Sequence, residues 1–590
     1  MNIINRTLTL CAATMMCVAA HSASLRIGYC EGEVTDDGVS KVGKTTISAA
    51  IILHEKELAK YTGAEVTGIR VGLATAEGID NLTGWIRPSL ESDNLDEVKI
   101  QSPQAGWNEA SLDGGVKIDG KPLAVGFSYS QGKSVQAISL VGTPVVDGFW
   151  LGKYDTKTGV DKWEAPSSAF GVLSVELIIS DPSFPEKDIE ITDVAFDEMP
   201  VKHGSDIAMT VTVHNAALKT IDNFTWGYET GDEKKSFSVN SALNPQEYAV
   251  FTCEIPTSSF TDDETRLLKV TVDTEADGKT DNNYRDVMVG TYTNSIPRMT
   301  LIEEFTSEEC GNCPRGIGTL QECMDNGYAN HIAIVAHHVG YKYDWLTVEE
   351  DKVYEWFYDP QGLDGTFAPA VMLDRTMLPG KKSPVRSLGY YSDFAPQLDD
   401  ALGIPAFVSV DVAIDYDADT HNLDVIVNAE KLPVFDTQCM SPRVNVYLVE
   451  DKILHHNQAG ISSDTFTHSH VYRKRLTDTW GDSFSWDGGK MTRTFSCTVP
   501  DSWKVENLEA VAFIASHDAD DIDNCRVFNA AKWKTGTAAI GLPTFDNEAV
   551  SVEYYDISGR KVAEPTNGLY IRRAIHPDGK VTADKIMIQQ

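Results

Sequence analysis

The chain has 590 residues, 42% of them hydrophobic and 23% charged, with a formal net charge of −37 and a pI near 4.7. At roughly 100–200 residues per domain, this length exceeds one core and implies about three to five domains; the ordinary apolar share excludes disorder by composition. The acidity excludes nucleic acid and anionic membrane surfaces as partners, because like charges repel.

The first residues, MNIINRTLTLCAATMMCVAAHSAS, place Arg6 before a short apolar run and then small residues. The run is too short to span a bilayer, and cleavage near Ala23 makes residues 1–23 a secretory signal peptide. Cys17 raises the alternative of a lipid anchor, but TMMC lacks the small residues such a site needs. No later segment is apolar for long enough to cross a membrane. Two of the ten cysteines, Cys11 and Cys17, fall in the leader; Cys30, Cys253, Cys310, Cys313, Cys323, Cys439, Cys497 and Cys525 remain in a compartment that permits disulfides.

Residues 24–183 read as a β-sandwich: GIRVGLATA alternates Ile69, Val71 and Leu73, glycines punctuate the segment, and one short helix is expected within SAAIILHEKELAKYTGAEV. SDPSFPEKD is a linker, because its prolines do not fit a central strand. Residues 186–296 form a second β unit, with the period of two at Ile207, Met209, Val211 and Val213, at Phe224, Trp226 and Tyr228, and at Leu268, Val270 and Val272. Its length and strands fit an Ig-like sandwich. Its loop DTEADGKTDNN is rich in Asp and Asn but lacks the ligand spacing of a calcium loop, and reads as a turn. From 297 to 403 strands and helices alternate, which predicts an α/β domain. MTLIEEF, HIAIVAHHV and FAPAVMLDR are strands. PRGIGTLQECMDNGY is a helix with Ile317, Leu320 and Met324 on one face, TVEEDKVYEWFYD a helix capped by Thr347 with Glu350 three residues on, and SDFAPQLDDALG a helix ending at Gly403. The β period returns over 404–537 as a third sandwich, and residues 543–590 form a short β tail. The fold class is multidomain and mainly β, with β-sandwich and Ig-like modules flanking one α/β domain.

The chemistry centres on Cys310-Gly311-Asn312-Cys313 inside EEFTSEECGNCPRG. Two cysteines three apart at the start of a helix bring their sulfurs within bonding distance. The helix N-terminus favours a thiolate on the first, so Cys310 is the attacking thiol and Cys313 the more buried resolving thiol. Pro314 sits in the first turn, where a missing N–H costs little. Glu308 and Glu309, taken as exposed, oppose the thiolate by about 0.2–1 kcal/mol each. That nearly cancels the roughly 0.3–1 kcal/mol from the helix terminus, so Cys310 is expected to be only modestly acidified. A closed structural disulfide is the competing reading, and a zinc site would need two further ligands. His337 and His338 end a strand near the pair and also fit plain edge histidines. Cys323 fits a buried free thiol. His455, His456, His468 and His470 place an H-x-H on a strand, a weak metal signal without a carboxylate at fixed offset. Cys439, Cys497 and Cys525 allow one further disulfide whose pairing the sequence does not choose.

The order strand, C-x-x-C, helix, strand, then a proline opening a strand resembles the thioredoxin fold. The resemblance rests on EEFTSEECGNCP and TFAPAVMLDR. It implies that Pro369 is the cis-proline facing the dithiol and that Glu304, six residues before Cys310, is the buried acid that moves a proton for the resolving thiol. Glu309 stands where an aromatic is usual, Ala368 where Thr, Ile or Val is usual, and Asn312 where Pro or His is usual. The first β unit resembles β-sandwich modules of exported proteins of Bacteroidota, and the second resembles the Ig-like spacer modules of bacterial surface proteins. Residues 297–535, including HVYRKRL, resemble the Omp-twenty-eight-related outer membrane proteins of Bacteroidota. The tail, with SGRKV and GLYI, resembles a type IX secretion C-terminal sorting domain. These resemblances imply an exported outer membrane, cell-surface or extracellular protein, with the periplasm as the remaining location. Two functions stand. One is a thiol-disulfide oxidoreductase acting on protein thiols and disulfides, with Cys310, Cys313, Glu304 and Pro369 as its site and no cofactor or metal. The other is a non-catalytic surface binding or adhesion protein with a structural dithiol. The sequence does not fix the oligomeric state.

Overall fold

The computed structural model describes residues 24–534, apart from 31–32, 37, 143, 158–159, 166–170, 360–364, 379–380, 382 and 520, together with 551–556, 560–562, 568–575 and 581–588. The signal peptide lies outside the described residues. The protein is mainly β, and no described helix is long and apolar enough to cross a membrane. It divides into two compact units: residues 1–197, 208–254 and 267–287, and residues 198–207, 255–266 and 288–590.

In the first unit a seven-stranded and a six-stranded sheet share one core. Alternation explains it. Ile47, Ala49, Ile51 and Leu53 of one strand meet Ile69, Val71 and Leu73 of another, with Phe127, Leu177 and Ile179 between. The short helix is confined to Glu55–Leu58 and continues as one 3-10 turn, Ala59–Tyr61. Strands Ile189–Phe196 and Ile207–Asn215 pair antiparallel, as do Phe224–Thr230 and Glu233–Val239. Trp226 stacks on Phe237 at 4.5 Å and on Phe251 at 5.5 Å. The acidic loop at 273–283 closes on itself, with Asp277 accepting from the Lys279 N–H at 2.9 Å and from Asn283 at 3.0 Å.

The second unit carries the candidate chemistry. Its elements are β1 (Thr300–Phe305), α1 (Cys313–Asp325), β2 (Ile332–His337), β3 (Ala370–Leu373), β4 (Arg386–Ser387), α2 (Tyr391–Gly403), β5 (Val408–Asp417), β6 (Asn422–Lys431), β7 (Arg443–Glu450), β8 (Ile453–His455), β9 (Phe466–His468), β10 (Val471–Arg475), β11 (Asp482–Ser483), β12 (Lys490–Thr498), β13 (Leu508–Ala515) and β14 (Val527–Lys534). The main sheet has nine strands in the order β4-β3-β1-β2-β10-β7-β13-β14, with β11 also on β7. β1 and β2 are parallel, Thr300 opposite Ile332 through Phe305 opposite His337, and β3 runs antiparallel to β1. Residue 404, the expected start of a third sandwich, marks no break in this sheet. β2 joins β10 in parallel at Ala336 opposite Val471, and the Ala336 N–H donates to the His470 carbonyl at 2.7 Å.

Both faces of the sheet are covered. Ile302, Ile334, Val371 and Leu373 pack on Leu320 and Cys323 of α1 and on Phe394 and Leu398 of α2. On the opposite face Leu301, Phe305, Val335 and Met372 pack with Tyr354 and Phe357, in a core that continues to Tyr447, Val511 and Phe513. Beyond β10, the three-stranded sheet β5-β6-β12 covers the strands instead, with Val410, Val425 and Phe495 against Val446, Ala510 and Ala512. Each such side chain removed from water contributes about 1.5–3 kcal/mol.

Three local expectations change. The buried stripe of α1 is Cys313, Gly316, Thr319, Leu320 and Cys323, one position round from the predicted face, and Ile317 is half-buried. A Cβ at Gly316 would lie 2.9 Å from the Pro369 Cβ, so the helix passes Pro369 on a residue without a side chain. Residues Glu349–Tyr358 form a 3-10 helix with no side-chain cap. Thr347 donates instead to the His338 carbonyl at 2.7 Å, and Glu350 accepts from the Tyr472 hydroxyl and the Arg475 N–H, each at 3.0 Å. Distant partners on the sheet therefore outbid the local cap. Cys439, Cys497 and Cys525 are free thiols, with Cys439 and Cys497 at the β5-β6-β12 core and Cys525 among Val511, Phe513 and Val527. The tail forms an antiparallel sheet of Ser551–Asp556, Lys561–Val562, Gly568–Ile575 and Val581–Ile588.

Candidate functional site

Cys310 and Cys313 form a disulfide, Cα atoms 5.4 Å apart, where β1 hands over to α1. Thr306–Asn312 make the turn: the Cys310 N–H donates to the Ser307 carbonyl at 3.1 Å and the Cys313 N–H to the Cys310 carbonyl at 3.2 Å. Cys313 is the first helical residue, behind Asn312 and followed by Pro314, and is fully buried. Cys310 precedes the helix and is only 4% exposed. The Ala368–Pro369 peptide is cis, and the Pro369 carbonyl accepts from the Leu388 N–H at 3.1 Å.

The two adjacent glutamates of β1 face opposite sides of the sheet, as successive strand residues must. Glu304 shares the face of Ile302, the one covered by α1. It is buried, and its Oε1 has no hydrogen-bond partner among the described residues. Burial pushes its carboxyl up to about 8, opposed only in part by the charge of His337. It is thus a protonated acid near neutral pH, on the face where Cys313 starts its helix.

Glu303 points to the other face, into a buried charged network. The Arg375 Nε and Nη2 donate to its two oxygens at 2.7 Å each, and Arg375 also donates to the Tyr447 hydroxyl at 3.1 Å. Tyr447 in turn donates to the Tyr354 hydroxyl at 2.8 Å. His337 Nδ1 lies 2.5 Å from Asp351 Oδ1, and its Nε2 lies 3.5 Å from Glu303. Burial opposes charge on both groups. Even so, Arg375 holds Glu303 down at about 2, and Asp351 with Glu303 holds His337 up at about 9. Two cations and two anions balance inside the core. The predicted edge histidine is therefore a fully buried, charged member of this network.

Near the disulfide the carboxylates are not arranged as the sequence predicts. Glu308 is buried, paired with His455, and has His468 Nε2 at 3.5 Å. Glu309 is exposed, with Lys342 at 3.9 Å. Exposed charge beside Cys310 is thus about half of what the sequence implies. His338 Nδ1 donates to Asp344 Oδ2 at 2.9 Å, and its ring lies 5.4 Å from that of His468. Burial and then His338 lower His468 to about 4, so it stays neutral. His470 does not share a face with His468: it adopts a left-handed backbone (φ 57°) beyond the end of β9 and turns to Asp451 at 3.4 Å. Among the described residues no group of three or more His, Cys, Asp or Glu is arranged to hold a metal ion. Cys323 is a fully buried free thiol, raised to about 11 by burial.

No signal in the sequence points to the segment that lies on this turn. Between β8 and β9 the chain crosses the 307–311 turn: the Ala459 N–H donates to the Glu308 carbonyl at 2.7 Å, and Gln458 Nε2 donates to the Cys310 carbonyl at 3.2 Å. A depression of about 450 Å3 lined by Arg298, Tyr328 and His331 lies at the other end of β1 and has no part in this chemistry.

No curated protein matches the chain. Among solved structures it is similar to HBP35 of Porphyromonas gingivalis, at 18% identity and a TM-score of 0.35 over 50% of this chain and 100% of that one. It is also similar to the CARDB domain of PF1109 from Pyrococcus furiosus, at 20% identity and 0.16 over 19% and 94%, and to a β-galacturonidase of Eisenbergiella tayi, at 12% and 0.17 over 57% and 58%. Residues 365–537 match the family described as outer membrane protein Omp28, and this match supports the outer membrane or cell surface as the protein's location.

Proposed function

We propose that the chain is an exported thiol-disulfide oxidoreductase of the outer membrane or cell surface, built on a thioredoxin-like domain over residues 297–403. The observation that carries this reading is the Cys310–Cys313 pair at the head of α1, on the sheet face that also holds the unpartnered, neutral Glu304. The close packing of Pro369 on Gly316 of α1 and the parallel β1–α1–β2 unit support the same reading. In the reduced protein the Cys310 thiolate attacks one sulfur of a substrate disulfide. That bond breaks, a substrate thiolate leaves, and a mixed disulfide forms. Glu304 first gives up its own proton to water and then, as carboxylate, takes the proton of the Cys313 thiol. Cys313 then attacks Cys310 Sγ, the second substrate thiolate leaves, and the protein ends as the disulfide described above. Pro369 shapes the groove beside the pair, and the exposed rings of Phe367 and Tyr390 provide apolar contact for a protein substrate. Export across the outer membrane through a type IX sorting tail over 543–590 belongs to the same proposal, as does the division into sandwiches at 24–183, 186–296 and 404–537.

The burial of Cys310 favours a second reading, a surface binding protein whose disulfide is purely structural. Insulin reduction by dithiothreitol, with wild type beside Cys310→Ser, separates the two. Faster turbidity with wild type is expected; equal rates, with a disulfide that resists mild reductant, defeat the oxidoreductase.

A further inference from the structure

Cys310 is covered, while its neighbours are not. Glu309, Gly311 and Asn312 are exposed, yet the cysteine between them is shielded. The chain that leaves β8 at His455 and returns at β9 lies against the backbone of this turn. Its backbone comes so close that a Cβ at Gly460 would collide with the Gly311 carbonyl, and Gly460 itself adopts φ 83°, a conformation that suits glycine. Gln458 is buried over the turn, donating to the Cys310 carbonyl, while its own Oε1 has no partner among the described residues. The feet of the segment are fixed. His455 pairs with Glu308 and lies flat on Trp345, 4.4 Å away and 7° from parallel; His468 is buried beside His338.

We propose that His456–Gly460 is an autoinhibitory strap, a built-in occupant of the face through which a partner chain reaches Cys310. It is made to lift. Within HNQAG only Gln458 is buried, and no large apolar side chain anchors the stretch. The hold is a few hydrogen bonds, each worth about 0.5–1.5 kcal/mol net, which is the low-stability end of local opening. The Ala459 N–H on the Glu308 carbonyl is the contact an extended polypeptide makes with an open backbone acceptor. The partner that replaces the strap is therefore an extended protein segment with a small residue opposite Gly311. Its role in turnover rests on the oxidoreductase reading; the covering of the disulfide does not.

The test is the rate at which dithiothreitol opens the disulfide in the full chain, read by acid quench, alkylation and mass. A reagent thiolate attacks Cys310 Sγ, the bond to Cys313 breaks and Cys313 leaves as thiolate. The second reagent thiolate then frees Cys310 and leaves cyclic oxidised dithiothreitol. Gly460→Val, which forces the strap off Gly311, and Gln458→Ala, which only removes the side-chain tether, are both expected to react about three- to tenfold faster than wild type. Unchanged rates in Gln458→Ala and in folded Gly460→Val overturn the strap. Insulin turnover by the same variants is a separate readout. Faster opening without turnover counts against the oxidoreductase and leaves the strap standing.

Discussion

Replacing Glu304 by glutamine removes a buried acid and keeps its shape. Burial raises this carboxyl from an ordinary 4.5 to about 8. A group whose folded value lies above its unfolded value contributes stability that is fully present below the unfolded value and is lost as pH rises through the folded one. Here the wild type loses about 1.4 kcal/mol per pH unit between those limits, and glutamine loses none. The advantage of Glu304→Gln over wild type should therefore grow by about 2–4 kcal/mol from pH 5 to pH 9. His337, held up at about 9, titrates over the upper part of the same window, but it does so in both proteins and largely cancels in their difference. The assay is urea-dependent hydrogen exchange of the β1 amides in the oxidised chain at pH 5, 7 and 9. A stability difference that stays flat across that range refutes the argument, because it would mean that Glu304 finds a partner or water on folding.

Arg375→Met should destabilise the second unit by about 3–5 kcal/mol, since Glu303 and Tyr447 keep their places while the buried carboxylate loses its cation; a loss below 1 kcal/mol in urea melts contradicts the balanced network. Cys310 should be only modestly acidic in the reduced protein when its reactivity is titrated by iodoacetamide kinetics. It lies ahead of the first helical residue, and Glu309 remains exposed beside it. An apparent value near 4 counts against that reasoning.

The alternation of Val408, Val410 and Val412 and the buried run of β2 were legible because they record local period against a fixed face. The disulfide was legible because three-residue spacing at a helix start leaves little choice. What the sequence withheld depends on partners far along the chain. Glu350 abandons its local cap for Tyr472 and Arg475, and a single bridge at Ala336 and Val471 makes one sheet of what reads as two separate modules. The strap reads as a plain loop, HNQAG, because nothing local tells a glycine that makes a turn from one that lies on another backbone. Glu308 reads as surface charge for the same reason, its partner His455 being 147 residues away.

Glu303 and Glu304 carry the argument about chemistry further than the cysteines do. They are the same residue type, adjacent on one strand, with ordinary carboxyl values before folding. The pleat sends one to Arg375 and His337 and the other to the face of α1, where its Oε1 has no hydrogen-bond partner among the described residues. One falls to about 2 and the other rises to about 8, because the two faces offer one a cation and the other burial alone. A structural disulfide needs no such acid. An unpartnered carboxyl costs stability at every pH above its unfolded value, and the proposed oxidoreductase reading gives that acid a use. On the oxidoreductase reading the burial of Cys310 is the part that must give way, and the proposed strap holds by a few hydrogen bonds, whereas Glu304 is enclosed by the sheet and helix of the core.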